Sequence, residues 1–211
     1  MPHVGRTPGG GAKGPGNAKR GQGGACHAPT KPVENVAADS DPVAVSNSSP
    51  DVMCPELFEA CRAGKVERVR KLLTHEGVSA FATDFYGKTC FHSACLAGQV
   101  KVLEVLLEAF PALLRQNTDD GTTALMFACE YGQLRVARFL VEQKVDPQAS
   151  SADGTTALMK ASERGSSECV EFLLGEHKAD VNATNSDGFT ALLFAAKMGR
   201  TAVAKALLEA G

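Results

Sequence analysis

Three cysteines, Cys61, Cys95 and Cys129, follow one another at intervals of 34 residues. Thiolates bind zinc and exchange disulfides, so an evenly spaced set raises both chemistries. Ser162 and Ala196 take the same place further along, so the position selects a small side chain rather than a ligand. The other fragments with chemical spacing fail on a missing partner. Gly87-Lys88-Thr89 ends like a phosphate-binding loop, but Ala82 stands where that loop needs its first glycine. Gly9-x-Gly11-x-x-Gly14 has dinucleotide-turn spacing with no strand before it. His75-Glu76 lacks a second histidine four positions on, and Cys26-His27 lacks a second pair at zinc spacing. No nucleophile elbow and no tuned carboxylate pair is found. The expectation is a non-enzyme with no catalytic residue, no metal and no cofactor.

What positions these residues is an internal repeat. A glycine after a small-residue run falls at Gly64, Gly98, Gly132, Gly165 and Gly199, in steps of 34, 34, 33 and 34. A second glycine, ahead of a threonine, falls at Gly87, Gly121, Gly154 and Gly188. Apolar pairs keep the same step, from Leu72-Leu73 to Leu207-Leu208. Within each unit a turn leads to Thr89, Thr123, Thr156 or Thr190, a helix N-cap residue, typically worth about 1 kcal/mol. A short small-sided helix follows and is closed by glycine. A second helix then carries apolar residues at i, i+3 and i+4, as Val136, Phe139 and Leu140 do. Neither helix can bury its apolar side alone, so each unit must be the core wall of the next. Stacked helices lie roughly 8 to 10 Å apart, whereas zinc–thiolate bonds are about 2.3 Å. The cysteine ladder therefore cannot converge on one ion.

The unit resembles the ankyrin repeat, D-x-x-G-x-T-P-L-H-x-A-A-x-x-G followed by an apolar helix. The match runs through Gly87, Thr89, His92, Ala94 and Gly98, then Gly121, Thr123, Leu125, Ala128 and Gly132. It continues through Gly154, Thr156, Leu158, Ala161 and Gly165, and through Gly188, Thr190, Leu192, Ala195 and Gly199. Lys178 to Ala183, KADVNA, resembles the linker between repeats. The resemblance implies an all-α solenoid of about five stacked helix-turn-helix units with β-turn loops. The units fall at about 54–82, 83–116, 117–149, 150–183 and 184–211, behind a Gly/Pro/Ser-rich tail, 1–53, whose composition predicts disorder. Cys90, Ala124, Ala157 and Ala191 replace the family's proline, and Met126, Met159 and Leu193 replace its histidine, which survives as His92. In the family that histidine bonds back towards the threonine. The three units without it are expected to lean on apolar packing, at lower stability. Unit one has eight charged residues between Glu56 and Lys71, as an outward-facing cap requires. The last unit has no charged cap after it, so Val203, Leu207 and their neighbours are expected to be unshielded, either in a fragment of a longer protein or beneath a partner.

The resemblance also implies where a partner protein would sit: along the turn tips and the exposed ends of the first helices, which line a concave face. Here those positions are Phe85, Tyr86 and Lys88; Leu96; Asp119, Asp120, Glu130 and Tyr131; Glu163 and Arg164; Ser186, Phe189, Lys197 and Met198. Aromatics are the usual interface anchors, and Phe85, Tyr86, Tyr131 and Phe189 stand where solvent favours polar groups. Phe127 and Phe194 are assigned to the core. The expected role is an adaptor or scaffold binding one or more proteins. The competing reading is a regulatory or targeting arm of a longer enzyme, such as a kinase or an acyltransferase. The tail carries Arg6, Lys13, Lys19, Arg20 and Lys31 and no acid before residue 32, but it lacks aromatics to stack on bases. A solvated linker is favoured over a nucleic-acid contact, and Ser49-Pro50 reads as part of that linker. No run of about 18 apolar residues exists to span a bilayer. Seven cysteines without an apolar leader suit a reducing compartment, so the protein reads as cytoplasmic, with the nucleus as the alternative.

Overall fold

Four loops open on a residue whose side chain bonds its own backbone. The Asp84 carboxylate accepts from the amides of Tyr86 and Lys88 at 2.8 and 2.9 Å, and the Asn185 side-chain oxygen accepts from Phe189 at 2.8 Å. The Thr118 and Ser151 hydroxyls each share their proton between a carboxylate of the same loop, Asp120 or Asp153, and the carbonyl of Thr122 or Thr155. Side chains of this type draw the backbone into turns. The computed structural model, which describes residues 54–75 and 78–211, closes each loop into a tight finger. The fourth residue of each finger is a glycine. At Gly87 φ is +72°, and an added Cβ would lie 2.7 Å from the Asp119 amide nitrogen, so glycine is required twice over.

Each finger hands the chain to a helix pair. Among the described residues the helices are α1 (Pro55–Arg62), α2 (Val66–His75), α3 (Cys90–Leu96), α4 (Val100–Ala109), α5 (Ala124–Glu130), α6 (Leu134–Glu142), α7 (Ala157–Arg164), α8 (Ser167–Gly175), α9 (Ala191–Lys197) and α10 (Thr201–Ala210). Thr123, Thr156 and Thr190 cap α5, α7 and α9, each hydroxyl accepting from the amide three residues on at 3.2 to 3.3 Å. The odd-numbered helices form one layer and the even-numbered ones a second, each pair packed on the next. The core runs unbroken between the layers, through Leu57, Leu72, Leu103, Leu106, Leu125, Leu140, Leu158 and Leu173. Each such leucine contributes roughly 1.5 to 3 kcal/mol by leaving water.

A polar ladder ties neighbouring pairs together. After each closing glycine a side chain reaches back to a carbonyl at the end of the previous inner helix. The contacts are Gln99 to Arg62, Gln133 to Leu96, Ser166 to Glu130 and Arg200 to Glu163, at 3.2 to 3.4 Å. These carbonyls are the ones a helix end leaves unpaired. The glycines open the path, because a Cβ at Gly98 would run into the Gln133 amide.

Two expectations change at this level. Val203 and Leu207 are buried, turned inward onto α8 and α9. Leucines of that unit left in solvent are Leu193 and Leu208, 49% and 66% exposed. Met126 and Met159 are buried as their replacement of histidine requires, whereas Leu193, at the same place, is not. The tail, with its predicted disorder, Cys26-His27 and Ser49-Pro50, lies outside the described residues.

Candidate partner-binding face

The fingers are joined edge to edge by backbone hydrogen bonds. Asp119 N–H donates to the Tyr86 carbonyl at 3.4 Å, Ala152 to Asp120 at 2.9 Å and Ser186 to Asp153 at 2.8 Å. Four turn tips are thereby held in a row rather than left as independent loops. Side chains on that row and on the adjoining helices inherit fixed spacing.

Phe85 and Tyr86, at the first tip, are 97% and 71% exposed; Tyr131 and Met198, at the ends of α5 and α9, are 48% and 44% exposed. Asp119, Asp120, Arg164, Ser186 and Lys197 are also exposed. Lys88, Leu96, Glu130, Glu163 and Phe189 are half-buried. Phe189 leans on Phe194 with ring centroids 5.1 Å apart, so it props its own turn. Phe194 is half-buried against the core and Phe127 is buried, as assigned.

Four of the fourteen positions meet in one cavity of about 220 Å³: Tyr86, Lys88, Asp120 and Glu130. Phe127, Lys160, Thr118 and Thr122 complete its wall. Phe127 is therefore both core and cavity wall, a double role that its apolar position in the repeat does not reveal. Lys160 was findable, because it stands four residues after Thr156 as Phe127 stands four after Thr123. The other ten, Phe85, Leu96, Asp119, Tyr131, Glu163, Arg164, Ser186, Phe189, Lys197 and Met198, lie outside this cavity.

Along this face the charges are held in place. Partial burial alone would raise the Asp120 carboxyl, but hydrogen bonds from Thr118 and Thr122 and the field of Lys160 outweigh it and hold the group below its usual range. The Ser151 hydroxyl does the same for Asp153, aided by Thr155. Glu130 receives Arg164 through Nε at 3.1 Å and Nη2 at 2.9 Å, which raises the guanidinium further. The cations also lie on rings: Lys88 is 5.4 Å from Tyr86 and 5.1 Å from Phe127, Arg164 is 5.6 Å from Tyr131, and Lys197 is 5.1 Å from Phe189.

The cysteines contribute no comparable site. Cys61, Cys95 and Cys129 are fully buried, and apolar surroundings keep the Cys95 thiol protonated. Among the described residues no group of three or more His, Cys, Asp or Glu side chains is placed to hold a metal.

The family model for ankyrin repeats matches the chain in three overlapping copies, over 57–151, 108–185 and 144–211. The chain is an ankyrin-repeat protein. The matched span takes in every finger and helix pair of the face described above, and ankyrin repeats generally serve as protein-binding surfaces. Among the described residues no helix of this ankyrin array is long and apolar enough to cross a membrane.

Proposed function

We propose that this ankyrin array is a non-enzymatic adaptor that holds a partner protein across its fingers and inner-helix ends, without a cofactor. The observation that carries this reading is the exposure of Phe85, Tyr86 and Tyr131 on a hydrogen-bonded frame. Large rings left in water cost solubility and make good anchors when covered. Because the fingers are already tied to one another, little ordering entropy remains to be lost on association. The positions carried over from the family, from Phe85 to Met198, form the proposed contact surface.

The test is affinity capture from cells with the full chain and with a Tyr86→Ala/Tyr131→Ala variant. Both rings are exposed, so the variant should melt within a few degrees of the parent. Its partner should be retained about tenfold less or worse. Equal retention by a folded variant removes these rings from the interface.

A further inference from the structure

We propose that the partner segment held by the fingers is an extended, basic stretch with Lys or Arg at every third position. The inference rests on the finger face being the binding surface, and it names what that surface takes.

Two observations on charge lead to it. Three of the protein's own cations on this face lie over rings, Lys88 on Tyr86, Arg164 on Tyr131 and Lys197 on Phe189, and Arg164 also holds Glu130. The finger carboxylates have no such partner. Every finger carries at least one, Asp84, then Asp119 with Asp120, then Asp153, then Asp187. Among the described residues none of the five has a Lys or Arg nitrogen within ion-pair distance. Lys160 reaches Asp120 and Asp153 only through its field. Asp120 and Asp153 are held ionised by their own turns, while Asp119 and Asp187 are exposed residues that make no side-chain hydrogen bond. The exposed rings at the first tip and at the end of α5 supply apolar contact. The carboxylates select the sign of what lies on it and repel a phosphate backbone.

Spacing then sets the pattern. Neighbouring fingers share a backbone hydrogen bond, and stacked helical units are roughly 8 to 10 Å apart. A polyproline II chain is extended at about 3.1 Å per residue with three residues per turn, so every third side chain falls on the same side of it. One finger therefore corresponds to about three residues, and four fingers to a stretch of about ten.

Fluorescence anisotropy with the full chain tests this, using labelled peptides of about twelve residues. One carries Arg at every third position in a Ser/Ala background, one has the same composition with its arginines in a block, and one replaces Arg by Glu. The spaced peptide should bind about tenfold tighter than the block, weaken with salt, and lose about tenfold in Asp119→Asn/Asp187→Asn, whose melting should not change. No measurable binding of the spaced peptide, equal binding of spaced and block peptides, an unaffected double variant, preference for the Glu peptide, or displacement by single-stranded RNA would each overturn the proposal. If the peptides fail while Tyr86→Ala/Tyr131→Ala still loses its captured partner, the face binds but the partner is not basic. If that variant also retains its partner, the face itself is wrong.

Discussion

His92 is a single histidine in a place where the next two units have methionine, and its ring is fully buried. Its Nδ1 accepts from the Thr89 amide at 3.1 Å, and its Nε2 has no partner within hydrogen-bond geometry. Phe127 packs edge-on at 5.4 Å. Burial pushes the imidazole down to about 4, with the Gln116 carbonyl and Asp84 opposing the shift and Lys88 adding to it. The unfolded chain takes up this proton near pH 6.5 and the folded one only near pH 4. Stability from this site is therefore intact above pH 6.5, falls as pH drops between those values, and levels off below, by up to about 3 kcal/mol. His92→Met should flatten that part of the profile. Paired thermal melts at pH 7 and in the acid part of the window check it: the drop in Tm should be smaller in the variant. Asp120 and Asp153, whose carboxyls are held low, lose their contribution at still lower pH and do so equally in both proteins. Parallel profiles would show that His92 stays neutral in neither state or both.

At the scale of the element, what is legible in the sequence depends on whether a signal recurs. Threonine caps and closing glycines occur at a constant step, and α5, α7 and α9 begin at the residue after the cap. The ends of the outer helices carry no such mark. After α6 the chain turns through Lys144 at φ +67°, with Val145 N–H on the Leu140 carbonyl and Lys144 N–H on that of Val141. This is the left-handed helix stop that glycine usually makes. Lys178 does the same after α8 at φ +47°. The 3-10 turn Pro111–Arg115, found in one unit among the described residues, carries no recurring mark for the same reason, and there Phe110 meets Phe81 edge-on at 5.8 Å. Since a side chain in the left-handed region is strained by roughly 1 kcal/mol, Lys144→Gly should stabilise the array, less the extra chain entropy of glycine. A urea midpoint raised with unchanged slope is the expected result. A lowered midpoint would mean that the lysine stem contributes contacts worth more than the strain.

Across the whole molecule, periodicity identified which residues are apolar but not which neighbour each one meets. In the middle of the array the distinction does not matter, because there is a unit on either side. At the last pair it does: Val203 and Leu207 meet the preceding pair, and Leu193 and Leu208 face outward. The finger row was legible as positions, whereas the cavity needed coordinates, since its wall draws on three successive units. Leu140 and Leu207 hold the same register place and are equally buried, at 0% and 1%, so they separate packing from position. Truncating either to alanine should cost roughly 2 to 5 kcal/mol locally. In a solenoid, stability is close to a sum of unit and nearest-neighbour terms, so a central defect loosens two interfaces and a terminal one only a single interface. Leu140→Ala should therefore lose amide-exchange protection from α3 through α8, whereas in Leu207→Ala the loss is confined to α7 through α10. Hydrogen exchange read by mass spectrometry distinguishes the two patterns. Uniform loss of protection in both variants would mean that the array unfolds as one cooperative block, and the nearest-neighbour account of its stability would have to be abandoned.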